Sequence, residues 1–412
     1  MLQSALFTKT LRDIPKDEVS KNAELLLRGG FIDKLMAGVY TFLPLGLRVI
    51  NRIEKIVREE MNAIGGQELL MPALHPLENY ERTKRHNIDV LFHTQLPGGQ
   101  KIVLGQSHEE VVVPLAKKFL DSYRDLPFAV YQIQTKFRSE LRPKSGIFRG
   151  REFIMKDLYS FHTSEDDFQK YYETVKKAYG KVFERLGLGP TTYYTHASGG
   201  TFSKHSHEFQ TLTEAGEDTI YICHTCHMAV NEEVIRDLGG ACPQCKGMLP
   251  KKGEKSIEIA NIFPLGVRFS DAFKLTYKDA EGKEHLPVMG CYGIGITRLM
   301  GVIAEIHNDA RGILWPDAVA PFAVHVIALS GGARSFAHQV YTKLTNAGVH
   351  VLFDDREQIT PGEKFADADL IGIPWRVVVS DKTIEQHKIE VKQRGSSAAE
   401  LMTEEVFFKK VC

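Results

Sequence analysis

The sequence predicts an α+β protein that carries a separate α/β domain at its C-terminal end. Two observations predict it. Up to about residue 315, stretches with the two-residue alternation of strands follow one another between amphipathic helices, as in an antiparallel sheet with flanking helices. Beyond Pro316–Pro321, the strand-like runs VHVIAL, VHVLFD, WRVVVS and HKIEVK are separated or followed by helical stretches at 333–346, 362–371 and 397–409. That alternation belongs to a largely parallel sheet. The expected domains are therefore 1–315 and 320–412.

The bulk composition agrees. With 412 residues, 43% hydrophobic and 25% charged, the chain reads as a soluble globular protein of two or three domains. No run approaches the roughly 18 apolar residues that cross a bilayer. The opening MLQSALFTKTLRDIPKD lacks a signal-peptide apolar stretch. The expected location is cytoplasmic, with no membrane partner. A formal net charge of zero excludes wholesale electrostatic binding of nucleic acid, so any RNA contact must be local.

Taken in order, residues 21–37 and 44–64 read as helices. The second starts at Pro44, sets Leu47, Ile50, Ile53, Val57, Met61 and Ile64 on one face, and stops at Gly65-Gly66. QELLMPAL follows as a strand interrupted by Pro72. A strand at 101–105 opens into Gln106-Ser107-His108-Glu109-Glu110 and a short helix. HExxH zinc protease chemistry is excluded, because Val112 stands where the second histidine belongs. Glu109 and Glu110 could hold a cation or an ammonium group, or could simply favour a helix N-terminus.

Next comes a hairpin, with strands at about Val130–Glu140 and Arg151–Phe161. Alternation puts Gln132, Gln134, Lys136, Arg138 and Glu140 on one face, and Arg151, Phe153, Met155, Asp157 and Tyr159 on one face of the return strand. Between Lys136 and Lys156 there are seven basic residues and two acidic ones, a local excess that suits a polyanion. Ser164 caps a helix to about Leu186, with Phe168, Tyr172, Val175, Tyr179, Val182 and Phe183 as its apolar face. Strands at 257–263, 268–277 and 285–292 lead to a glycine-rich turn, Gly290 to Gly295, and a helix at 295–306. A dinucleotide fingerprint would need a βαβ setting that is missing here. Arg298 sits in an otherwise apolar helix and needs an anion, a ligand's or an internal carboxylate's.

Six cysteines are too few for a disulfide framework in a chain this long. Four of them form Cys223-x2-Cys226 and Cys242-x2-Cys245, two knuckles that supply four thiolates for tetrahedral zinc. Four cysteines close the shell, so the expected zinc is structural; reduced free thiols or a redox pair are the other reading of the four. Pro243, Gly239-Gly240 and Gly247 suit the knuckle turns.

These stretches carry a resemblance. Phe137-Arg138-Ser139-Glu140 with Arg149-x3-Phe153 resembles motif 2 of class II aminoacyl-tRNA synthetases. GIGITR (293–298) resembles motif 3, and the helix 44–64 running into Met71-Pro72 resembles motif 1. More narrowly, GVYTFLPLGLRV, LGQSHEE, FRGREFIMKDLYSF, SHEFQ, MGCYGIGITR, RGILWPDAVAPF and DDREQITPGEKFADADLIGIP are similar to the bacterial-type prolyl-tRNA synthetase family, in order and along nearly the whole chain.

The resemblance implies a class II catalytic domain with a C-terminal anticodon-binding domain, a homodimer formed through motif 1, and the ligation of L-proline to tRNA(Pro) with ATP and Mg2+. It implies that Arg138 holds the α-phosphate and the proline carboxylate. Glu140 would accept from the adenine amino group, and Phe153 and Arg298 would sandwich the ring. Arg298, and with it Arg149 or Arg151, would lie near the γ-phosphate, and Glu258 would be a magnesium ligand. Ser107 and Glu109 stand where the family has a Thr-x-Glu loop for the proline amine, with His207 and Cys291 lining that subsite. Lys144, Arg356 and Lys364 would meet tRNA.

Between motifs 2 and 3, full-length bacterial relatives carry an inserted editing domain. Here the cysteine cluster, a zinc-ribbon-like segment at 219–250, occupies that interval. The expectation is an enzyme that cannot edit in cis and is served, if at all, by a separate trans-editing deacylase. Two rival readings remain. One is another class IIa specificity such as threonine, against which stands the lack of a catalytic zinc site. The other is a non-catalytic paralogue that binds RNA or a partner, against which stands the presence of Arg138, Glu140 and Arg298.

Overall fold

The computed structural model describes residues 1–13, 20–141, 145–200, 202 and 205–412. Lys144 lies outside the described residues. The chain separates into two compact units, one of Met1–Leu35, Tyr40–Arg52 and Met300–Cys412 and one of Met36–Val39 and Ile53–Leu299.

The second unit is built on a nine-stranded sheet. Its strands run in the order His205–Leu212, Thr192–Ser198, Ala229–Asn231, Asp218–Ile222, Glu254–Gly266, Val288–Gly295, Glu152–His162, Phe128–Phe137 and Gly66–Glu68. Neighbours are antiparallel except at Ala229–Asn231 with Thr192–Ser198 and at the Gly66–Glu68 edge. Strand His205–Leu212 pairs a second time, with Glu254–Gly266, so five strands close a ring at one end of the sheet. The cysteine segment supplies two of those five, Asp218–Ile222 and Ala229–Asn231, and is woven into the sheet.

At the other end the hairpin has the register Gln132↔Asp157, Gln134↔Met155 and Lys136↔Phe153, so the two expected faces are one face. Its charge is another matter. Lys136 and Lys156 are fully buried, so two of the seven basic residues counted toward a polyanion site belong to the interior. Helix Glu165–Arg185 follows, capped by Ser164 Oγ accepting from the Asp167 amide at 3.2 Å. All six residues of its expected apolar face are buried. They pack on the sheet, where Tyr172 donates to the Ile262 carbonyl at 3.0 Å.

Several expected elements differ, among them QELLMPAL, which is strand only within Gly66–Glu68 and Leu74–Pro76, and the first hairpin strand, which ends at Phe137. The helix expected over 21–37 is Lys21–Arg28, because Gly29-Gly30 stops it with Gly30 at φ 73°; short strands Ile32–Met36 and Val39–Phe42 follow. The stretch 268–277 begins as a helix, Arg268–Phe273, ended by Lys274 at φ 51°. Its alternating apolar residues mimic a strand because a helix this short shows barely two turns. The glycines from 290 to 295 make no turn: the strand Val288–Gly295 runs directly into helix Ile296–Ile306. They are needed for close approach, since a Cβ on Gly290 would meet the Phe168 ring at 2.7 Å. The C-terminal helix is Glu404–Val411, preceded by a strand Glu400–Met402.

In the first unit, the C-terminal sheet has the order Val351–Asp354, Val324–Ala328, Trp375–Val379, Ile389–Gln393, Glu400–Met402. The first three strands are parallel and the last two pairings antiparallel, so the expected largely parallel sheet is a mixed one. Helices Gly331–Asn346 and Pro361–Ile371 flank it, the latter opened by a capping box between Thr360 and Glu363. No helix among the described residues is long and apolar enough to cross a membrane.

Candidate active site

Two adjoining cavities open on the polar face of the hairpin. The first is lined by Arg138, Glu140, Arg149, Phe153, Met155, Glu258, Asn261, Gly293, Thr297 and Arg298, among others. Arg138 lies over the Phe153 ring, 5.1 Å from its centroid, and its Nε is buried without a partner. Burial, and then the nearby Arg298, hold the Arg138 guanidinium below its ordinary pKa. Such a group is completed by an anion. Arg298 donates to the carbonyls of Phe148 at 2.8 Å and Glu258 at 2.5 Å, which holds its plane at the cavity wall. Glu258 accepts from Asn261 at 2.8 Å. Arg149 pairs with Glu140 at 2.8 Å and Glu217 at 2.9 Å.

The second cavity, of about 390 Å³, shares Arg138, Glu140, Arg149, Met155, Glu258, Asn261 and Gly293 with the first and adds Ser107, Glu109, Asp157, Phe202, Glu208, Glu233 and Cys291. Ser107 Oγ donates to Glu109 Oε2 at 2.5 Å, and the Cys291 thiol donates to Glu109 Oε1 at 3.1 Å. Burial, then the Glu109 carboxylate, push the Cys291 thiol up. It stays protonated and is a wall, not a nucleophile.

A buried network supports this floor. Lys136 Nζ lies 2.8 Å from Asp157 and 2.8 Å from His108 Nδ1. Gln132 and Tyr159 donate to Asp157 at 3.0 and 2.9 Å. His108 Nε2 and His75 Nε2 each donate to the Pro72 carbonyl at 3.0 Å, so both imidazoles carry their proton on Nε2. Burial lowers them to about 3 and about 4.

The four cysteine sulfurs lie within 4.8 Å of one another, with Cys223–Cys245 at 3.5 Å and Cys226–Cys242 at 3.6 Å. A tetrahedron with metal–sulfur bonds of about 2.3 Å has edges of about 3.8 Å, so the donor set fits zinc. Each knuckle is closed alike: His227 donates its amide to Cys223 O and Lys246 to Cys242 O, both at 2.9 Å. The residues that close the two knuckles, His227 (φ 59°) and Lys246 (φ 63°), are left-handed, as are Gly239 (φ 59°) and Gly240 (φ 77°) just before the second one, whereas Gly247 is not. Gly247 has another use, since its missing Cβ would sit 3.4 Å from Cys245 Sγ. Helix Glu232–Ile235 of this segment places Glu233 on the cavity, where it accepts from the Ser198 amide at 2.8 Å.

Several expected site residues lie elsewhere. His207 does not line the cavity; Glu208 does. Strand alternation sends His207 to the opposite face, where it bonds Tyr172 at 2.8 Å and stacks on Tyr194. Arg151 lines neither cavity and donates to the carbonyls of Glu140 and Ala37. In the other unit, Lys364 is buried and donates to the Ala328 carbonyl at 2.7 Å, and Arg356 is held by Asp354 and Asp367 at 2.8 and 2.9 Å. Lys364, on helix Pro361–Ile371, is thus turned toward the sheet, whereas Arg356, in the stretch before that helix, keeps part of its side chain exposed. No sequence pattern singled out Arg85, a fully buried guanidinium on Glu109 and Glu110. Nor did any single out Thr297, whose buried, unpartnered hydroxyl lines the first cavity.

The comparisons with known proteins converge. Residues 92–307 match the class II tRNA synthetase core domain (G, H, P, S and T), and residues 323–411 match the anticodon-binding domain. The chain is 33% identical to a proline–tRNA ligase of Dehalococcoides mccartyi, over its full length and 98% of that protein. It is 37% identical to one from Anaplasma marginale, over 98% of each. The chain belongs to the proline–tRNA ligase family. The alignment with the Dehalococcoides protein extends over 563 positions and that with the Anaplasma protein over 422. With 412 residues, this chain has the short form of the family and lacks a long segment that the Dehalococcoides ligase contains. The fold is shared with a prolyl-tRNA synthetase from Cryptosporidium parvum, crystallised with halofuginone and AMPPNP. The TM-score is 0.78 at 19% identity, over 95% of this chain and 74% of that one.

Proposed function

We propose that this chain is a proline–tRNA ligase that activates L-proline with ATP and transfers it to the 3′ end of tRNA(Pro). The observation that carries this reading is the position of Arg138 on the wall common to both cavities, with a buried nitrogen that has no partner. In the first step a proline carboxylate oxygen attacks the α-phosphorus. The new bond is an acyl phosphate, the bond to the β-phosphate breaks, and pyrophosphate leaves. The carboxylate is its own nucleophile, so the protein positions reactants and stabilises charge at phosphorus. In the second step a ribose hydroxyl of the tRNA end attacks the acyl carbon and AMP leaves.

Arg138 spans the α-phosphate and the substrate carboxylate, a task suited to its planar fork. Phe153 and Arg298 take the two faces of adenine, and Glu140 accepts from its amino group. Arg149 turns from its carboxylates toward the outer phosphates. Magnesium is held by few carboxylates and by substrate phosphates, and Glu258, on the rim of both cavities, is the ligand we assign. Ser107 and Glu109 receive the amine, with Cys291 as the wall. Zinc at the four cysteines is structural. The domain division at 315–320, a homodimer through the helix Pro44–Ala63, a cytoplasmic location and dependence on a separate alanyl-tRNA deacylase complete the proposal.

ATP–pyrophosphate exchange measured with proline, threonine, alanine and cysteine tests it. Proline alone should drive fast exchange, and Arg138→Ala should lower it by about 10²–10³-fold. Exchange that is driven by threonine, or retained in the variant, would refute the assignment.

A further inference from the structure

Arg85 is 1% exposed and its guanidinium lies between two carboxylates. Nη1 donates to Glu109 Oε2 at 3.2 Å and to both oxygens of Glu110 at 3.0 and 3.2 Å, and Nη2 is 3.5 Å from Ser107 Oγ. The Phe202 ring, 4.4 Å away, covers its face. Thr83 adds a hydrogen bond to Glu110 at 2.8 Å. Glu110 is thereby tied to Arg85 and Thr83 and is absent from the cavity wall, whereas Glu109 lines it.

The consequence for Glu109 is directional. Its Oε2 is occupied by Arg85 and by the Ser107 hydroxyl. Among the described residues, its Oε1 meets only the Cys291 thiol, a weak donor. Ser107 spends its one proton on Oε2 and keeps lone pairs to accept with. Toward a ligand the subsite therefore offers Glu109 Oε1 and Ser107 Oγ.

We propose that Arg85 is the positioning residue of the amine subsite: by engaging Glu109 Oε2 and Glu110 it leaves two acceptors, which match the two N–H bonds of a secondary ammonium and leave one N–H of a primary ammonium without a partner. This rests on the reading of the cavity as the proline site. An unpaired charged donor in a buried site costs about tenfold or more in kcat/KM.

The test compares N-methyl-L-alanine with L-alanine in pyrophosphate exchange, which varies the class of amine without the proline ring. The wild-type protein should favour the secondary amine by about tenfold or more. In Arg85→Met that preference should collapse toward unity, with KM for ATP unchanged, because Glu109 and Glu110 are then free to meet the third N–H. Arg85→Lys, which restores the charge, should recover part of it. Should Arg85→Met not fold, the charge-balanced double variant R85M/E110Q takes its place, since Glu109 Oε2 is released there too. A wild-type preference below about twofold, or a variant that keeps the wild-type ratio, overturns the proposal. A wild-type protein without proline-dependent exchange instead refutes the reading on which it rests.

Discussion

Replacing one of the four cysteines we assign to zinc, Cys245→Ser, tests how far the cysteine segment depends on metal and how far the active site depends on that segment. The buried cluster of the segment holds Cys223, Met228, Val230, Val234, Cys242 and Leu249, and two of these six are themselves ligands, so little core remains without the metal. Structural zinc in isolated fingers is worth about 10–16 kcal/mol. One of four ligands therefore represents about 2.5–4 kcal/mol, or roughly 10²–10³-fold in metal affinity. Zinc content after dialysis against a chelator measures the first consequence. Amide hydrogen exchange measures the second: protection should fall across 223–249 and also at Ser198, whose amide donates to Glu233 Oε1. Proline-dependent exchange should weaken with it, because Glu233 lines the second cavity. A variant that retains zinc, or metal-free protein with unchanged protection at 223–249 and Ser198, would refute the reasoning.

Stability should fall with acid through His75 and His108. Both fold with pKa values near 4 and 3, below the unfolded value of about 6.5. Their contribution is therefore complete above about pH 6.5 and is lost as the pH falls toward 4 and 3. At pH 5 each costs about 2 kcal/mol, so denaturant unfolding should show a loss between pH 7.5 and 5 that His108→Gln reduces; a flat profile would contradict it. Arg356→Ala removes the side-chain fork on the buried Asp354, which keeps Lys364 at 3.8 Å and the amide of residue 356 at 3.2 Å, and costs about 1–3 kcal/mol. Its melting transition should drop while proline-dependent exchange persists, and an unchanged melt would contradict the buried pairing. Alanine differs from proline by methylenes worth only about 1–3 kcal/mol, so purified protein should form alanyl-tRNA(Pro) slowly and leave it intact. Hydrolysis of that ester by the protein would contradict it.

What the sequence made legible was what local periodicity encodes. Pro44 and Gly65 bracket a helix found at Pro44–Ala63, and Ser164 caps the one that follows the hairpin. Alternation put Lys136, Phe153 and Asp157 on one face, and the register agrees. The rest depended on partners distant in sequence. Arg85, in the polar run Lys84-Arg85-His86, looks like a solvated charge until Glu109 and Glu110 fold onto it. Alternation allows either His207 or Glu208 to face the ligand, and only the pairing with Glu254–Gly266, irregular at Phe209/Gln210, decides for Glu208. Lys364 carries a charge in a loop-to-helix motif, yet the sheet carbonyl of Ala328 claims it.

The central claim is that this chain joins proline to its tRNA, and charging of a tRNA(Pro) transcript with labelled amino acids tests it most directly. ATP-dependent, acid-precipitable proline is expected in near-stoichiometric yield, with little threonine and with proline charging by Arg138→Ala slower by about 10²–10³-fold. A protein that binds tRNA(Pro) without charging it, or that charges threonine in preference to proline, would contradict the account.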